Sequence, residues 1–186
     1  MIKIFKRIGK TTLLTLLTFG AYFGMIQIDG NLHEVVPNEF YRSAQLSPDQ
    51  LNRAIARYNI KSVINLRGEN PDTKWYQREL ATTTQAGITH IDFRMSAKRM
   101  LPEDKAHELI EVMRNAPKPI LIHCQAGADR TGLASALYIG AIKHGDELDA
   151  KLQLSPLYGH LPIPHTAAYP MTQSFEAFKP MLGFGT

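Results

Sequence analysis

Cysteine is almost absent from this chain of 186 residues, and Cys124 is its only copy. A single cysteine excludes an internal disulfide bond and any zinc site built from several cysteines. The sequence also has no repeat of fixed period and no segment of low complexity, which excludes the repeat architectures. No G-x-S-x-G stretch occurs, so the nucleophile turn of a serine hydrolase is excluded too.

Positive charge is concentrated at one end of the chain. Four of the 21 basic residues lie within the first ten positions, and the formal net charge is +4. The rest of the chain is balanced, with 17 basic residues against 17 acidic ones. The basic character therefore gives no argument for nucleic-acid binding, and no nucleic-acid partner is expected.

The amino-terminal segment, residues 1–28, starts with basic residues and continues over 11–28 as an uncharged, mostly apolar run. This run approaches the roughly 20 residues that cross a bilayer. We expect an uncleaved signal-anchor helix that spans the membrane once and holds the rest of the chain on the periplasmic side. A cleaved signal peptide and a secreted product are the alternative. Residues 29–37 are expected to form a linker and 38–186 the folded domain.

Strand-like and helix-like segments alternate along 38–186. Buried-strand patterns occur in "NEFYRSAQ", "KSVINLRGE", "ITHIDF" and "KPILIHC", with helical patterns between and after them. The best-marked helix has Ser47 as N-cap, Pro48 at its first position and Gln50 completing a capping box. The alternation predicts an α/β fold with a central, mostly parallel sheet flanked by helices. Ligands of such sheets bind at the carboxyl ends of the strands.

Cys124 lies at such a strand end, in the stretch "PILIHCQAGADRTGL". A small, buried and inert side chain is one interpretation, because free cysteine is often buried. Three features favour a nucleophile instead. Gly127 lets successive backbone N–H groups turn toward one centre, the following helix begins with a partial positive charge, and the guanidinium of Arg130 matches two phosphate oxygens. The sequence therefore predicts a thiolate within an anion-binding loop.

The loop sequence separates the possible phosphate-binding motifs. "GADRTGLA" has the spacing of a nucleotide-binding P-loop but lacks its Lys-Ser/Thr, so that motif is rejected. "HCQAGADRTG" fits H-C-x5-R-[S/T] at every fixed position and resembles the signature of the protein tyrosine phosphatase superfamily. "FYRSAQL" and "VINLRGE" look like the compact dual-specificity branch, in particular its bacterial single-domain members. The resemblance implies a cysteinyl-phosphate mechanism that needs neither metal nor cofactor.

The resemblance also implies a role for each residue of the motif. Cys124 is expected to be the nucleophile, and Thr131 to assist its departure as a thiolate. His123 is expected to orient the loop from below. Phosphate is expected to be held by the Arg130 guanidinium and by the backbone amides of Gln125, Ala126, Gly127, Ala128, Asp129 and Arg130.

The general acid is less clearly marked, because the loop "RMSAKRM" before the signature strand contains no carboxylate. Asp129 lies inside the signature, where the myotubularins of the superfamily carry an aspartate thought to act as the acid. Asp92 lies in a predicted strand, and Asp104 in the first turn of a predicted helix. We rank Asp129 first, Asp92 second and Asp104 third; for Asp92 and Asp104 a structural role is the alternative.

Basic residues near the expected cleft bear on the substrate. If they face it, they favour a second acidic group on the substrate; otherwise they are solvated charges. These candidates are Arg42, Arg67, Arg94, Lys98 and Arg99. A phosphorylated protein is the favoured substrate, a phospholipid or inositol phosphate the second possibility, and an idle phosphate-binding module the third. His160 and His165 share a Pro-rich loop, but no third metal ligand lies near them in the sequence.

Overall fold

A computed structural model describes residues 18, 20–22 and 24–185. Five strands form one sheet in the order β1-β2-β5-β3-β4. The strands are β1 His33–Val36, β2 Phe40–Ser43, β3 Ser62–Asn65, β4 Thr89–Asp92 and β5 Ile120–His123. The helices are α1 Pro48–Tyr58, α2 Lys74–Gln85, α3 Glu103–Asn115, α4 Asp129–Leu137, α5 Glu147–Leu152 and α6 Tyr169–Phe178. A π-helical turn, Tyr138–Ile142, continues α4, and a 3₁₀ turn, Pro156–Tyr158, follows α5.

The sheet is parallel except at one edge, where β1 pairs antiparallel with β2. The expected mostly parallel α/β sheet is therefore present. Residues 33–36, which the sequence placed in a linker, form this edge strand. This strand was missed because "HEVV" is short and is flanked by two asparagines, Asn31 and Asn38, that both have a positive φ.

The central strand β5 is fully buried, as expected for a parallel strand covered on both faces. Alternate residues face two separate cores. Ile120 and Ile122 pack with α3, α4 and α6, while Leu121 packs with α1 on the opposite face. Each such aliphatic side chain stabilises the fold by about 1.5–3 kcal/mol on burial. The two cores clamp the strand that leads into the signature loop.

The parallel strands end level with one another. His123, the last residue of β5, is in register with Ser43 of β2 and Asn65 of β3. Cys124 therefore leaves the sheet at its carboxyl edge, with a strand end on either side. The predicted capping box is also present: the Ser47 hydroxyl accepts from the Gln50 N–H, and the Gln50 side chain accepts from the Ser47 N–H.

The amino-terminal segment requires a correction. In the part of the chain that the structure describes, no helix has both the length and the apolar character needed to cross a bilayer. This finding contradicts the expected anchor helix and the membrane-anchored periplasmic location derived from it, whereas the alternative of a secreted product stays a prediction. Residues 1–17, 19 and 23 of the segment lie outside the described residues.

The described end of that segment packs on the domain. Residues 24–28 are helical. The Tyr22 hydroxyl donates to the carbonyl of Leu157 at 2.6 Å, and the Gln50 side chain donates to the carbonyl of Ile28 at 3.0 Å. The uncharged apolar run behind a basic start suggested a membrane helix, whereas these hydrogen bonds attach the described end of the segment to the domain.

Candidate active site

The signature loop joins the end of β5 to the start of α4. Cys124 lies at its base and is buried, with 3% of its surface exposed. Asp129 and Arg130 are the first two residues of α4, so the loop delivers its amides at a helix amino terminus. That position favours an anion, because the first N–H groups of a helix have no partner within it.

Gly127 is required by the shape of this loop. Its φ is +69°, a left-handed conformation that residues with a side chain rarely adopt. A Cβ at this position would lie 2.5 Å from the backbone N of Ala44 and 2.6 Å from the carbonyl carbon of Ser43. The loop therefore packs backbone to backbone against the end of β2, which only glycine permits.

Hydrogen bonds from outside the loop bind its carbonyl oxygens. The Gln45 N–H donates to the Gln125 carbonyl at 3.2 Å. The side-chain amides of Gln27 and Asn31 both donate to the Ala126 carbonyl at 3.0 Å. In a planar trans peptide the N–H points away from the C=O. Holding the carbonyls outward therefore turns the following N–H groups toward the concave side, above Cys124.

Arg42 completes this arrangement. One guanidinium nitrogen donates to the carbonyls of Gly127 at 2.8 Å and Ala128 at 3.3 Å. The other donates to the backbone and side-chain oxygens of Gln153 at 2.9 and 2.8 Å, and the group stacks on the Tyr158 ring. Burial lowers the pKa of Arg42 to about 10. The expected substrate contact is wrong here, because Arg42 is completely buried behind the loop.

Arg130 faces the cleft from the other side. Its Nη1 donates to the carbonyls of Leu66 at 3.3 Å and Met95 at 3.4 Å, which aligns the guanidinium at the loop mouth. Among the described residues, Arg130 Nε and the buried Thr131 hydroxyl have no hydrogen-bond partner. A buried donor without a partner costs free energy. A bound phosphate is a suitable acceptor for Arg130 Nε, and the Cys124 sulfur is a suitable acceptor for the Thr131 hydroxyl.

A buried carboxylate supports the loop from below. Glu79 Oε1 lies 3.1 Å from His123 Nε2 and 2.9 Å from His90 Nε2, and its other oxygen accepts from Gln45. Burial raises the pKa of Glu79. The charge of His123 and the hydrogen bonds from His123, His90 and Gln45 lower it by more than burial raises it, so the net pKa lies well below its usual range. His123 thus bridges Glu79 and the base of the loop, and its role in orienting the loop stays a prediction.

Glu79 was missed by the sequence analysis. A carboxylate in the middle of a helix is usually solvated. The available signal was spacing: Tyr76, Glu79 and Thr83 lie on one face of α2, and all three are buried. A charged residue within such a stripe indicates a buried ionic partner.

The three candidate acids lie in different surroundings. Asp92 is on the edge strand β4, about 10 Å across the sheet from β5, and accepts from Asn65 at 2.7 Å and Tyr76 at 2.5 Å. Asp104 is exposed in the first turn of α3. Asp129 alone of the three lines the cleft that contains Cys124 and Arg130. Its Oδ1 lies 2.7 Å from Nδ1 of His160.

The cleft has a volume of about 410 Å³. Its lining is mostly small and contains two cations, Arg130 and Lys98. The lining residues are Gln27, Ala97, Lys98, Cys124, Gln125, Ala126, Asp129, Arg130, Ala167 and Ala168.

The other basic candidates lie outside this lining. Arg67 stacks on Trp75 at 3.5 Å and donates to Gln45 at 3.0 Å. Burial, and next the charge of Arg130, lower the pKa of Arg67, while Glu79 and Cys124 act in the opposite direction. Arg94 donates to the Glu69 carbonyl. Arg99 is exposed.

The two histidines of the Pro-rich loop differ in burial. His160 is completely buried against Asp129 and Thr172, and His165 is exposed. Within the described ranges, no group of three or more His, Cys, Asp or Glu side chains is arranged to hold a metal ion.

The known proteins that this chain resembles in sequence are phosphatases. Residues 23–147 match the sequence profile of the "Tyrosine phosphatase family". Over 129 residues the chain is 26% identical to human "Dual specificity protein phosphatase CDC14C", which corresponds to 62% of this chain but only 27% of that protein.

Solved structures share the fold. TpbA of P. aeruginosa, in complex with pTyr, is 21% identical with a TM-score of 0.56, over 84% of this chain and 92% of that one. The core catalytic domain of the PP-IP phosphatase SIW14 of S. cerevisiae is 22% identical with a TM-score of 0.61, over 82% and 91%.

Proposed function

This chain belongs to the tyrosine phosphatase family and is a cysteine-type phosphatase, and we propose that it hydrolyses phosphorylated side chains of proteins, phosphotyrosine above all. The cleft lining carries the proposal. Four alanines, Ala97, Ala126, Ala167 and Ala168, line the cleft, and the signature loop contributes one arginine to it. Small apolar side chains suit the flat face of an aryl ring, and the loop suits the single phosphate attached to it.

In the proposed mechanism the Cys124 sulfur attacks phosphorus. An S–P bond forms while the bond from phosphorus to the substrate oxygen breaks. The Arg130 guanidinium and the loop amides take up the charge that develops on the phosphoryl oxygens. Asp129 gives a proton to the leaving oxygen, so that a neutral alcohol departs.

The second step regenerates the enzyme. The Asp129 carboxylate removes a proton from a water molecule, whose oxygen attacks phosphorus and breaks the S–P bond. Inorganic phosphate and the Cys124 thiolate are the products. The Thr131 hydroxyl, buried next to the loop, donates a hydrogen bond to the departing sulfur and stabilises its negative charge.

An inositol phosphate is the second candidate substrate. Lys98 in the lining favours it, because a second cation beside Arg130 suits a second acidic group, and SIW14, with the same fold, is described as a PP-IP phosphatase. Against this, the signature loop has a single basic residue, Arg130, and no lysine. A loop of this charge is better suited to one phosphate than to several.

The test compares substrates on the full chain. Phosphate release is measured from a phosphotyrosine peptide, a phosphothreonine peptide, an inositol phosphate and a phospholipid monophosphate in micelles. We expect kcat/KM for the phosphotyrosine peptide to exceed each of the others by about tenfold or more. A preference for the inositol phosphate or the lipid would transfer the proposal to that class.

The matched control is Cys124→Ser, which keeps the size of the nucleophile but not its reactivity. We expect kcat to fall by about 10⁴-fold or more, with the phosphopeptide still bound. Wild-type turnover in this variant would disprove the mechanism. Absence of turnover in the wild-type chain on all four substrates would indicate an idle phosphate-binding module.

A further inference from the structure

His160 connects three parts of the protein at the edge of the cleft. It follows the 3₁₀ turn Pro156–Tyr158, and its ring is completely buried. Its Nδ1 lies 2.7 Å from Oδ1 of Asp129 on α4, and its Nε2 lies 2.8 Å from Oγ1 of Thr172 on α6. Both ring nitrogens are therefore occupied, and the ring is held between two helices.

The chemistry of the partners determines which nitrogen carries the proton. An ionised carboxylate only accepts hydrogen bonds, so Nδ1 of His160 must donate to Asp129. A neutral ring then accepts at Nε2, and the Thr172 hydroxyl can donate there. The same arrangement serves when Asp129 is protonated, because Oδ1 still accepts from Nδ1 and the proton resides on Oδ2.

We propose that His160 is a positioning residue for Asp129: it occupies Oδ1, so that Oδ2 is the oxygen that gives the proton to the leaving group and later takes one from water. The inference rests on the proposed function, in which Asp129 is the acid. Among the described residues Asp129 Oδ2 has no hydrogen-bond partner, and the side chain of Asp129 is 27% exposed toward the cleft it lines.

Burial explains why a histidine suits this position. The ring has no contact with solvent, so its two polar atoms need protein partners, and each has one. Two hydrogen bonds from different helices prevent the ring from rotating. A carboxylate that is hydrogen-bonded to such a fixed ring loses little additional conformational entropy when the substrate binds. This is the advantage of a pre-organised catalytic group.

The test depends on the leaving group. Phenol, with a pKa of about 10 like tyrosine, needs a proton as it departs, whereas 4-nitrophenolate is a much weaker base and departs without one. Removal of the acid function therefore slows hydrolysis of phenyl phosphate far more than that of 4-nitrophenyl phosphate. A purely structural role for His160 would slow both substrates equally.

Two variants at this position form a pair. His160→Phe keeps an aromatic ring at this position but has neither nitrogen. We expect kcat for phenyl phosphate to fall about 10–100-fold with little change in kcat for 4-nitrophenyl phosphate. His160→Asn keeps a donor toward Asp129 and should restore most of that loss. In the double variant Asp129→Asn/His160→Phe, the histidine change should add nothing to the aspartate change.

Each outcome has a separate meaning. Equal slowing of both substrates by His160→Phe, or full additivity with Asp129→Asn, overturns the positioning role while the acid assignment stands. If Asp129→Asn shows no leaving-group dependence, the acid assignment fails and the positioning role fails with it. Should His160→Phe not fold, Thr172→Val against Thr172→Ser makes the same test, with only the valine variant expected to slow phenyl phosphate selectively.

Discussion

Two histidine–carboxylate pairs each include one residue of the signature, His123 in the first and Asp129 in the second. Below the loop, Glu79 and His123 are 3.1 Å apart, and their side chains are 4% and 3% exposed. At the mouth of the cleft, Asp129 and His160 are 2.7 Å apart, with the histidine buried and the aspartate 27% exposed. The chemical groups are the same, whereas their access to solvent and substrate differs.

The number of partners explains the different roles. Both oxygens of Glu79 are engaged, by two histidines and Gln45, so this carboxylate has no free position for a proton transfer. Asp129 has one engaged oxygen and one oxygen without a described partner. A saturated carboxylate therefore supports the loop, while a half-satisfied one at the cleft is suited to chemistry.

Glu79→Gln is the substitution with the largest expected effect among those that test the different roles of the two pairs. The change leaves His123 and His90 without their carboxylate in a buried site, and we expect the free energy of unfolding to fall by about 3–5 kcal/mol. The folded variant should keep the wild-type ratio of kcat for phenyl phosphate to kcat for 4-nitrophenyl phosphate, whereas Asp129→Asn should lower that ratio. Urea unfolding together with the two aryl phosphates measures both quantities.

The matched control for that experiment is Glu108→Gln. Glu108 pairs with Lys105 on the surface, with about half of each side chain exposed. We expect a change within about 1 kcal/mol. A comparable loss of stability in both variants would contradict the special status assigned to Glu79.

Gly127→Ala should have the next largest effect. It lies between His123 and Asp129 in the sequence, and the added Cβ meets the backbone at the end of β2. We expect a loss of about 1–3 kcal/mol together with weaker phosphate binding, because the loop must move to relieve the contact. Calorimetry and competition by inorganic phosphate measure the two effects.

Gly87→Ala separates the two costs of that change. Gly87 also has a positive φ, +66°, but a Cβ there would meet nothing within 4 Å. It therefore carries the backbone strain without the contact. Equal destabilisation at both positions would show that close approach of the loop to β2 contributes nothing.

The smallest effect is a dependence of stability on pH. The pKa of Glu79 lies below its ordinary value of 4.5 in the folded protein, so its contribution is complete above that value and is lost as the pH falls below it. One such carboxyl gives a slope of at most about 1.4 kcal/mol per pH unit. The difference in unfolding free energy between wild type and Glu79→Gln should narrow as the pH falls below about 4.5; a constant difference from pH 5 down to pH 3 would refute the assignment.

The sequence predicted the sheet and the signature loop because both depend on local patterns. The buried run before Cys124, Gly127 in the turn and Arg130 in the first helical turn are neighbours in the chain, and the family resemblance drawn from them is confirmed. The assignment of Asp129 as acid stays a prediction, with the cleft lining in its favour.

The features that could not be predicted from the sequence depend on contacts between residues far apart in the chain. Arg42 was expected to meet substrate because it lies near a strand end, yet its guanidinium turns behind the loop to partners 85 and 111 residues away. The pairing of Asp129 with His160 spans 31 residues without a common motif. The amino-terminal segment was judged by composition, and its contacts with Leu157 and Ala126 have no local signal.

Arg42 has a consequence for how the enzyme matures. Its guanidinium joins the signature loop to Gln153, which lies beyond residue 147, where the family match ends. During synthesis the loop emerges before Gln153 does, so this fastening of the loop cannot form until Gln153 has been synthesised. The bridge that Arg42 makes between the loop and Gln153 is therefore completed only after all five strands of the sheet have been synthesised.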